Sequence, residues 1–227
     1  MTKAQINVVD SATWATTAAT LIMATVAQTC QACGSCTVML TGGRSAERLY
    51  EAWAASPEFA HLRDVHFYFG DERCVPPDHP ESNYGLAMRT LFKRGVPQDC
   101  TVTRMPAERP DHEAAAEAYS KQLPSRPDVM LLSVGEDGHI ASLFPYSSAF
   151  FETQRRVVPI SAPKPPPERL TVTPLVIAQV TQVFVMALGS AKAAIFQRAQ
   201  TEPNDILALP ARLVLNATWF VDVQLAN

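Results

Sequence analysis

The sequence has no long run of basic residues. Its 227 residues include 19 lysines and arginines against 22 aspartates and glutamates, so the formal charge at pH 7 is -3. Proteins that bind nucleic acids neutralise backbone phosphates with clustered lysine and arginine side chains. Nucleic acid is therefore not an expected partner of this chain.

Long apolar segments are also missing. The apolar stretch 18–26 is interrupted by threonines and is far shorter than a membrane-spanning helix. The first ten residues carry Asp10 and lack the apolar region of a secretory signal. With 47% hydrophobic and 18% charged residues, the composition is that of an ordinary globular protein. We expect a single cytoplasmic domain over residues 1–227, with no membrane partner.

The cysteine content argues against a disulfide framework, because the five cysteines are an odd number and no secretory signal accompanies them. Three of them, Cys30, Cys33 and Cys36, recur at three-residue spacing, as in part of an iron–sulfur or zinc site. Such a site needs a fourth ligand, and Cys74 and Cys100 lie in unrelated contexts. We therefore predict that these small side chains pack in the interior and that no metal is bound.

Motifs for covalent catalysis are absent as well. No serine lies in a G-x-S-x-G context, and no cysteine and histidine are paired at a motif spacing. His112 opens a predicted helix, but no second histidine follows it at the metal-binding i, i+4 spacing. If the chain is a hydrolase, water is the expected nucleophile.

The residues that are present predict alternating strands and helices. Apolar runs at 36–40, 65–69, 128–134, 156–160 and 182–188 predict strands, and several are continuously apolar, as in strands buried on both faces. Amphipathic segments between them predict helices, beginning with one that Ser11 would cap. The proline-rich segment 162–171 is expected to be a loop. The predicted fold class is α/β, with a mostly parallel sheet covered by helices on both faces.

Polar motifs follow the first two of these strands. Gly42, Gly43 and Arg44 lie between a strand and a helix, where backbone N–H groups can hold a phosphate, although a tight turn would also need the glycines. The second strand is predicted to continue from the apolar run at 65–69 to residue 73, so that Asp71, Glu72 and Arg73 form its end. Ligands bind beyond the carboxyl ends of parallel strands, so these charges are expected in a cleft rather than in a solvated turn.

The segment after the strand at 128–134 carries the main catalytic candidate. Gly135 and Gly138 can bend the backbone, and Asp137 lies two residues before His139. Imidazole titrates near neutral pH and a nearby carboxylate can orient it, so His139 is a candidate general base. An isolated histidine would as readily be structural.

Two further cations lie near predicted strand ends. Arg169 follows three prolines, and Lys192 lies in the first turn of a helix. The helix dipole disfavours a cation at that position, which indicates an anion nearby to compensate for it. A phosphate group would suit the pair.

These motifs, in this order, resemble the 6-phosphogluconolactonase family. The likeness extends over nearly the whole chain through the segments LTGGR at 40–44, FGDERCVPPDHPESNYGLA at 69–87, GEDGHIASLFP at 135–145, KPPPERLTVT at 164–173 and LGSAK at 188–192. It implies a single Rossmann-like αβα three-layer domain, no cofactor, and hydrolysis of 6-phospho-D-glucono-1,5-lactone to 6-phosphogluconate in the oxidative pentose phosphate pathway.

The resemblance also implies a set of site residues and leaves alternatives open. His139, Asp137 and Arg73 are the expected catalytic residues. Gly42, Gly43, Arg44, Arg169 and Lys192 are expected at the phosphate, and Asp71, Glu72 and Asn83 are expected to line the site. The expected partner is the small-molecule lactone, and the protein is expected to be a monomer or a small homo-oligomer.

Related glucosamine-6-phosphate deaminases share the DGHIA segment, so a deaminase is one alternative. They continue with a polar Asn-Glu-Pro segment and have tyrosine in place of Arg73, whereas this chain has Leu143 and Phe144. Ser133 and Ile140 depart from the usual lactonase glycine and threonine. A sugar-phosphate sensor is the other alternative, although no DNA-binding extension is present. The lactonase interpretation is favoured over both.

Overall fold

Ten strands and six α-helices alternate along residues 5–203 and 205–222, the part of the chain that the computed structural model describes. Their bounds are β1 Gln5–Val9, α1 Trp14–Cys33, β2 Cys36–Leu40, α2 Arg44–Ala55, β3 Val65–Phe69, β4 Asp71–Arg73, α3 Asn83–Arg89, β5 Thr101–Val102, α4 His112–Ser120, β6 Val129–Ser133, β7 Val157–Ser161, β8 Glu168–Val172, α5 Pro174–Ile177, β9 Gln182–Ala187, α6 Ser190–Thr201 and β10 Thr218–Asp222. In this part of the chain no helix combines the length and the apolar character needed to cross a membrane.

Seven strands form the main sheet in the order β1-β10-β9-β6-β2-β3-β5, and every neighbouring pair is parallel. From β2 the chain moves outward to β3 and β5, and it then returns to place β6 on the other side of β2. The strand order therefore reverses between β2 and β6. In open α/β sheets such a reversal leaves a crevice beyond the carboxyl ends of the two strands, where ligands bind.

Helices cover both faces of this sheet, so the chain has two apolar cores. One core packs α1 and α2 against the sheet and contains Trp14, Trp53 and Phe67, all nearly inaccessible to solvent. The other packs α4 and α6 against the opposite face and contains Tyr119 and Trp219. The α/β class and the mostly parallel sheet are as predicted.

A second sheet of three antiparallel strands, in the order β4-β8-β7, was not predicted. The predicted loop over 162–171 is wrong at its end, because Glu168–Val172 is strand β8. The strand forms because Leu170 and Val172 are buried while its backbone pairs with β4 and β7. Its register places Arg169 opposite Arg73.

The start of the first helix also differs from its prediction. Thr13, not Ser11, precedes α1, and its side chain makes no capping hydrogen bond. The carboxylate of Asp10 instead accepts a hydrogen bond from Ala12 N at 2.7 Å. The single strand predicted over 65–73 is wrong at its end, because Val65–Phe69 belongs to the main sheet and Asp71–Arg73 to the small one. The remaining predicted helices and strands of the main sheet are confirmed within a few residues at each end.

Candidate functional site

A cavity of about 140 Å³ lies at the point where the strand order reverses. The loop after β2 forms one wall and the loop after β6 forms another, and the small sheet closes a third side through β4 and β8. Of the eleven predicted site residues, eight line this cavity: Gly42, Gly43, Asp71, Arg73, Asn83, His139, Arg169 and Lys192. Asp137, Arg44 and Glu72 lie just outside it.

Asp137 and His139 form a close pair in the loop after β6. His139 Nδ1 lies 2.5 Å from Asp137 Oδ1, and the side chain of His139 is only 17% exposed. The ring of Phe144 stacks against the imidazole with 4.3 Å between centroids. Because the carboxylate accepts a hydrogen bond from Nδ1–H, the neutral ring carries its free lone pair on Nε2. A ring held in this way can accept a proton from a molecule in the cavity.

The backbone of Gly135 makes room for this ring. A Cβ atom built on Gly135 would lie 2.1 Å from His139 Nδ1 and 2.6 Å from Asp137 Oδ1. The N–H of Gly135 donates to the carbonyl of His139 at 2.9 Å, which closes the loop tightly. The sequence motif therefore encodes the geometry directly, since only glycine fits beneath the imidazole.

Lys164 contacts the carboxylate of Asp137 on the side away from His139. Its Nζ atom lies 3.1 Å from Asp137 Oδ2. Burial alone would raise the pKa of Asp137, but the hydrogen bonds and charges of His139 and Lys164 outweigh it and hold that pKa below its ordinary range. The carboxylate is therefore ionised at neutral pH. Sequence reasoning did not single out Lys164, although it opens the KPPP segment of the motif.

Lys192 and Arg169 bring positive charge into the cavity from two directions. Lys192 lies in the first turn of α6, where burial and then the nearby charge of Arg44 lower its pKa. Arg169 lies on β8 and is only 5% exposed, and burial lowers its pKa as well. Arg44 and Lys192 also line an adjoining cavity of about 490 Å³. Helices α2 and α6 both begin at this junction, so their N-termini add to the positive potential.

Arg169 is held by a buried network that the motif analysis did not foresee. Its Nε donates to the carbonyl of Pro166 at 3.0 Å, and its Nη1 donates to Ser142 Oγ at 3.4 Å. The hydroxyl of Ser142 in turn donates to Asp71 Oδ2 at 2.6 Å. The side-chain amide of Asn83 donates to the other oxygen of Asp71 at 3.2 Å. Asp71 and Asn83 therefore line the cavity with their polar groups already largely engaged.

Asn83 Oδ1 is the exception in this network. It is buried and has no hydrogen-bond partner within residues 5–203 and 205–222. A Cβ atom on Gly42 would lie 1.8 Å from it, so glycine at position 42 allows the amide to approach the loop after β2.

Arg73 and Glu72 occupy different environments although they are neighbours. Arg73 lines the cavity, its Nη1 donates to the carbonyl of Glu81 at 2.5 Å, and its Nε is buried without a partner in the described part of the chain. Glu72 points beneath α3, where it accepts hydrogen bonds from the N–H groups of Asn83 at 2.7 Å and Tyr84 at 2.8 Å. Burial raises the pKa of Glu72, and these backbone donors work against that rise. Its position is that of a group that fixes the start of α3.

None of the five cysteines lines this cavity. All five are free, and burial raises the pKa of the Cys36 thiol to about 12. The predicted packing in the interior is confirmed for Cys36 but is wrong for Cys33, which is exposed at the end of α1. Among the residues that the structure describes, no three histidine, cysteine, aspartate or glutamate side chains come together as metal ligands would.

The fold and the site together define a class: α/β proteins with a ligand cleft at the switch point of a parallel sheet. The cleft here contains a histidine–aspartate pair and several cations, of which Arg169 is buried. Comparison with known proteins is in agreement. The model of the family described as glucosamine-6-phosphate isomerases/6-phosphogluconolactonase matches residues 9–221. The chain belongs to this family.

Individual relatives carry the second of the two names in this description. The Homo sapiens protein named 6-phosphogluconolactonase is 42% identical over 173 residues, which cover 70% of this chain and 66% of the human one. The Mycobacterium bovis protein of the same name is 35% identical over 205 residues and covers 83% of each chain. The solved structure of 6-phosphogluconolactonase from Trypanosoma brucei superposes with a TM-score of 0.83 at 27% identity, over 98% of this chain and 97% of that one.

Proposed function

We propose that this protein hydrolyses 6-phospho-D-glucono-1,5-lactone to 6-phosphogluconate, as a step of the oxidative pentose phosphate pathway in the cytoplasm. The observation that carries the proposal is the joint placement of His139 and Lys192 in one cavity. The first can accept a proton, and the second is a half-buried cation with no carboxylate within ion-pair distance in the described part of the chain. The relatives named above supply the identity of the lactone.

The chemical step follows from the orientation of the imidazole. His139 Nε2 accepts a proton from a water molecule as that water attacks the lactone carbonyl carbon. The carbonyl oxygen becomes negatively charged, and Arg73 and the N–H groups of the surrounding loops are the proposed donors to it. The imidazolium then gives its proton to the ring oxygen as the ester bond breaks. Asp137, which stays ionised, favours the imidazolium during both transfers.

The phosphate positions the substrate for this step. Lys192, Arg169 and Arg44 are the proposed cationic partners, and the loop at Gly42 and Gly43 offers backbone N–H groups at the start of α2. The lowered pKa values of Lys192 and Arg169 support this assignment, because both cations are desolvated and an arriving dianion would compensate for the lost hydration. Phosphate binding then holds the carbonyl near His139, which lowers the entropic cost of reaching a reactive geometry.

The test is a measurement of acid release from freshly prepared 6-phosphogluconolactone against its spontaneous hydrolysis. We expect saturable acceleration in the presence of a chelator. Gluconolactone without a phosphate is the matched control substrate and should be hydrolysed far less efficiently. Conversion of glucosamine 6-phosphate without lactone hydrolysis would instead identify a deaminase, and tight ligand binding without turnover of either compound would identify a sensor.

A further inference from the structure

Lys164 touches the functional site at two points. Its ammonium group lies 3.1 Å from Asp137 Oδ2, while its backbone carbonyl accepts a hydrogen bond from Arg169 Nη2 at 3.3 Å. One residue of the proline-rich segment therefore contacts both the carboxylate that orients the base and the buried arginine of the small sheet.

With the contact to Lys164, both oxygens of the Asp137 carboxylate have a partner. Oδ1 faces the imidazole and Oδ2 faces Lys164, so the carboxylate is held between two groups. The side chain of Lys164 is 49% exposed, and it does not line the cavity that contains His139. Lys164 is thus placed to act on the base through Asp137 rather than by direct contact with a substrate.

We propose that Lys164 is a positioning residue, which clamps Asp137 in its orientation toward His139 and limits how strongly that carboxylate stabilises the protonated ring. The inference rests on the proposed role of His139 as general base. Without the ammonium group, Asp137 Oδ1 would keep its contact with His139 Nδ1, but the carboxylate would be held on one side only. Its full negative charge would also act on the ring, so the base would be protonated at a higher pH than in the unaltered protein.

Five charged groups other than Lys164 either contact the imidazole or line the cavity that contains it. They are Asp137, Lys192, Arg169, Asp71 and Arg73. A Lys164→Gln substitution leaves all of them in place. The difference between that variant and the unaltered protein therefore reports on the lysine charge.

The experiment compares the pH profiles of kcat/KM for the unaltered protein, Lys164→Gln and Lys164→Arg. In Lys164→Gln the acid limb should move to higher pH by about 0.5 to 1 unit, as expected for loss of one charge near a partly exposed pair. The kcat value at pH 7 should fall about 3- to 10-fold, with KM changed less than about twofold. Lys164→Arg should restore both. Lys121→Gln is the matched control, because Lys121 forms an exposed pair with Glu117 at 2.7 Å, and it should change nothing.

A second readout does not depend on turnover. The protonation of the His139 ring can be followed by NMR of histidine-labelled protein, with its signal assigned by its loss in His139→Asn. The titration midpoint should be higher in Lys164→Gln than in the unaltered protein and in Lys164→Arg. A raised KM with an unmoved acid limb and an unmoved ring titration would overturn the proposal and place Lys164 at the substrate. Absence of lactone turnover in the unaltered protein would contradict the proposed function, while the ring titration would still decide the role of Lys164.

Discussion

The hydroxyl of Ser142 donates a hydrogen bond to the carboxylate of Asp71 at 2.6 Å, although the two residues are 71 positions apart in the sequence. Ser142 follows the histidine loop, whereas Asp71 begins β4 of the small sheet. The bond joins the part of the site that carries His139 to the part that carries Arg169.

Replacing Ser142 with alanine tests this link. The substitution leaves a buried carboxylate oxygen unpaired, so the free energy of unfolding should fall by about 1 to 3 kcal/mol. kcat/KM should also fall, because Arg169 loses a neighbour that fixes it. Chemical denaturation and steady-state kinetics measure the two effects. Ser161→Ala, at an exposed position on β7, is the control and should stay within about 0.5 kcal/mol. Equal stability of the two variants would contradict the role given to this hydrogen bond.

The substitution His139→Asn tests the central assignment. Asparagine keeps a polar side chain of similar size but cannot accept the proton, so kcat should fall by about 10²- to 10⁴-fold, with substrate affinity nearly unchanged. The variant should also lack the acid limb of the kcat/KM profile, along which the unaltered protein loses activity as its base becomes protonated.

His61 provides the matched control, since it is exposed, ends the short 3-10 helix Pro57–His61 and does not line the cavity. His61→Asn should retain activity. A well-folded His139→Asn protein that hydrolyses the lactone at nearly the unaltered rate would refute the general-base assignment. Loss of stability and yield together, with residual activity proportional to the folded fraction, would mark His139 as structural.

The lowered pKa of Lys192 leads us to expect that substrate binding weakens at alkaline pH. Burial lowers its pKa, so the ammonium group loses its proton at lower pH than an ordinary lysine does. If this charge holds the phosphate, KM should rise as pH increases through that lowered pKa, while kcat changes little. Lys192→Met should raise KM at neutral pH by about 10- to 100-fold, the range for loss of one charge-assisted contact.

Lys192→Arg separates charge from packing in this prediction. Arginine stays protonated across the whole range, so the variant should lack the alkaline rise in KM. Inorganic phosphate should competitively inhibit the unaltered protein and raise its melting temperature, and Lys192→Met should lose both effects. An alkaline limb that persists in Lys192→Arg would assign it to another group.

The cysteine-rich end of α1 should have no part in catalysis. Burial raises the pKa of Cys36 to about 12, so this thiol stays protonated and inert at neutral pH. The exposed Cys33 should be the first to react with a thiol reagent. Its modification and prolonged chelation should each leave turnover unchanged, and the protein should be colourless. Stoichiometric metal in elemental analysis, with activity lost on its removal, would contradict this.

The sequence was most informative where local composition decides structure. The continuous apolar runs of β2 and β6 predicted buried parallel strands, and the glycines around His139 predicted the loop that follows β6. Strand β8 was missed because three prolines precede it and because its partners, β4 and β7, are distant in sequence. Its stability comes from pairing and burial, which local propensity does not express.

The same limit applies to the site. Motif order identified the residues that line the cavity, but it did not distinguish Glu72, which is turned toward α3, from its neighbours Asp71 and Arg73. Ser142 contacts Asp71, which is 71 residues away in the sequence, and Lys164 contacts Asp137, which is 27 residues away. Spacing along the chain carries no information about such approaches.

The glycine beneath the imidazole limits how this site can evolve. Any side chain at position 135 would occupy the space of the His139 ring. A substitution there would therefore displace the imidazole. Changes that reshape the cavity without moving His139 are therefore open at the small sheet and at the start of α6, but not at position 135.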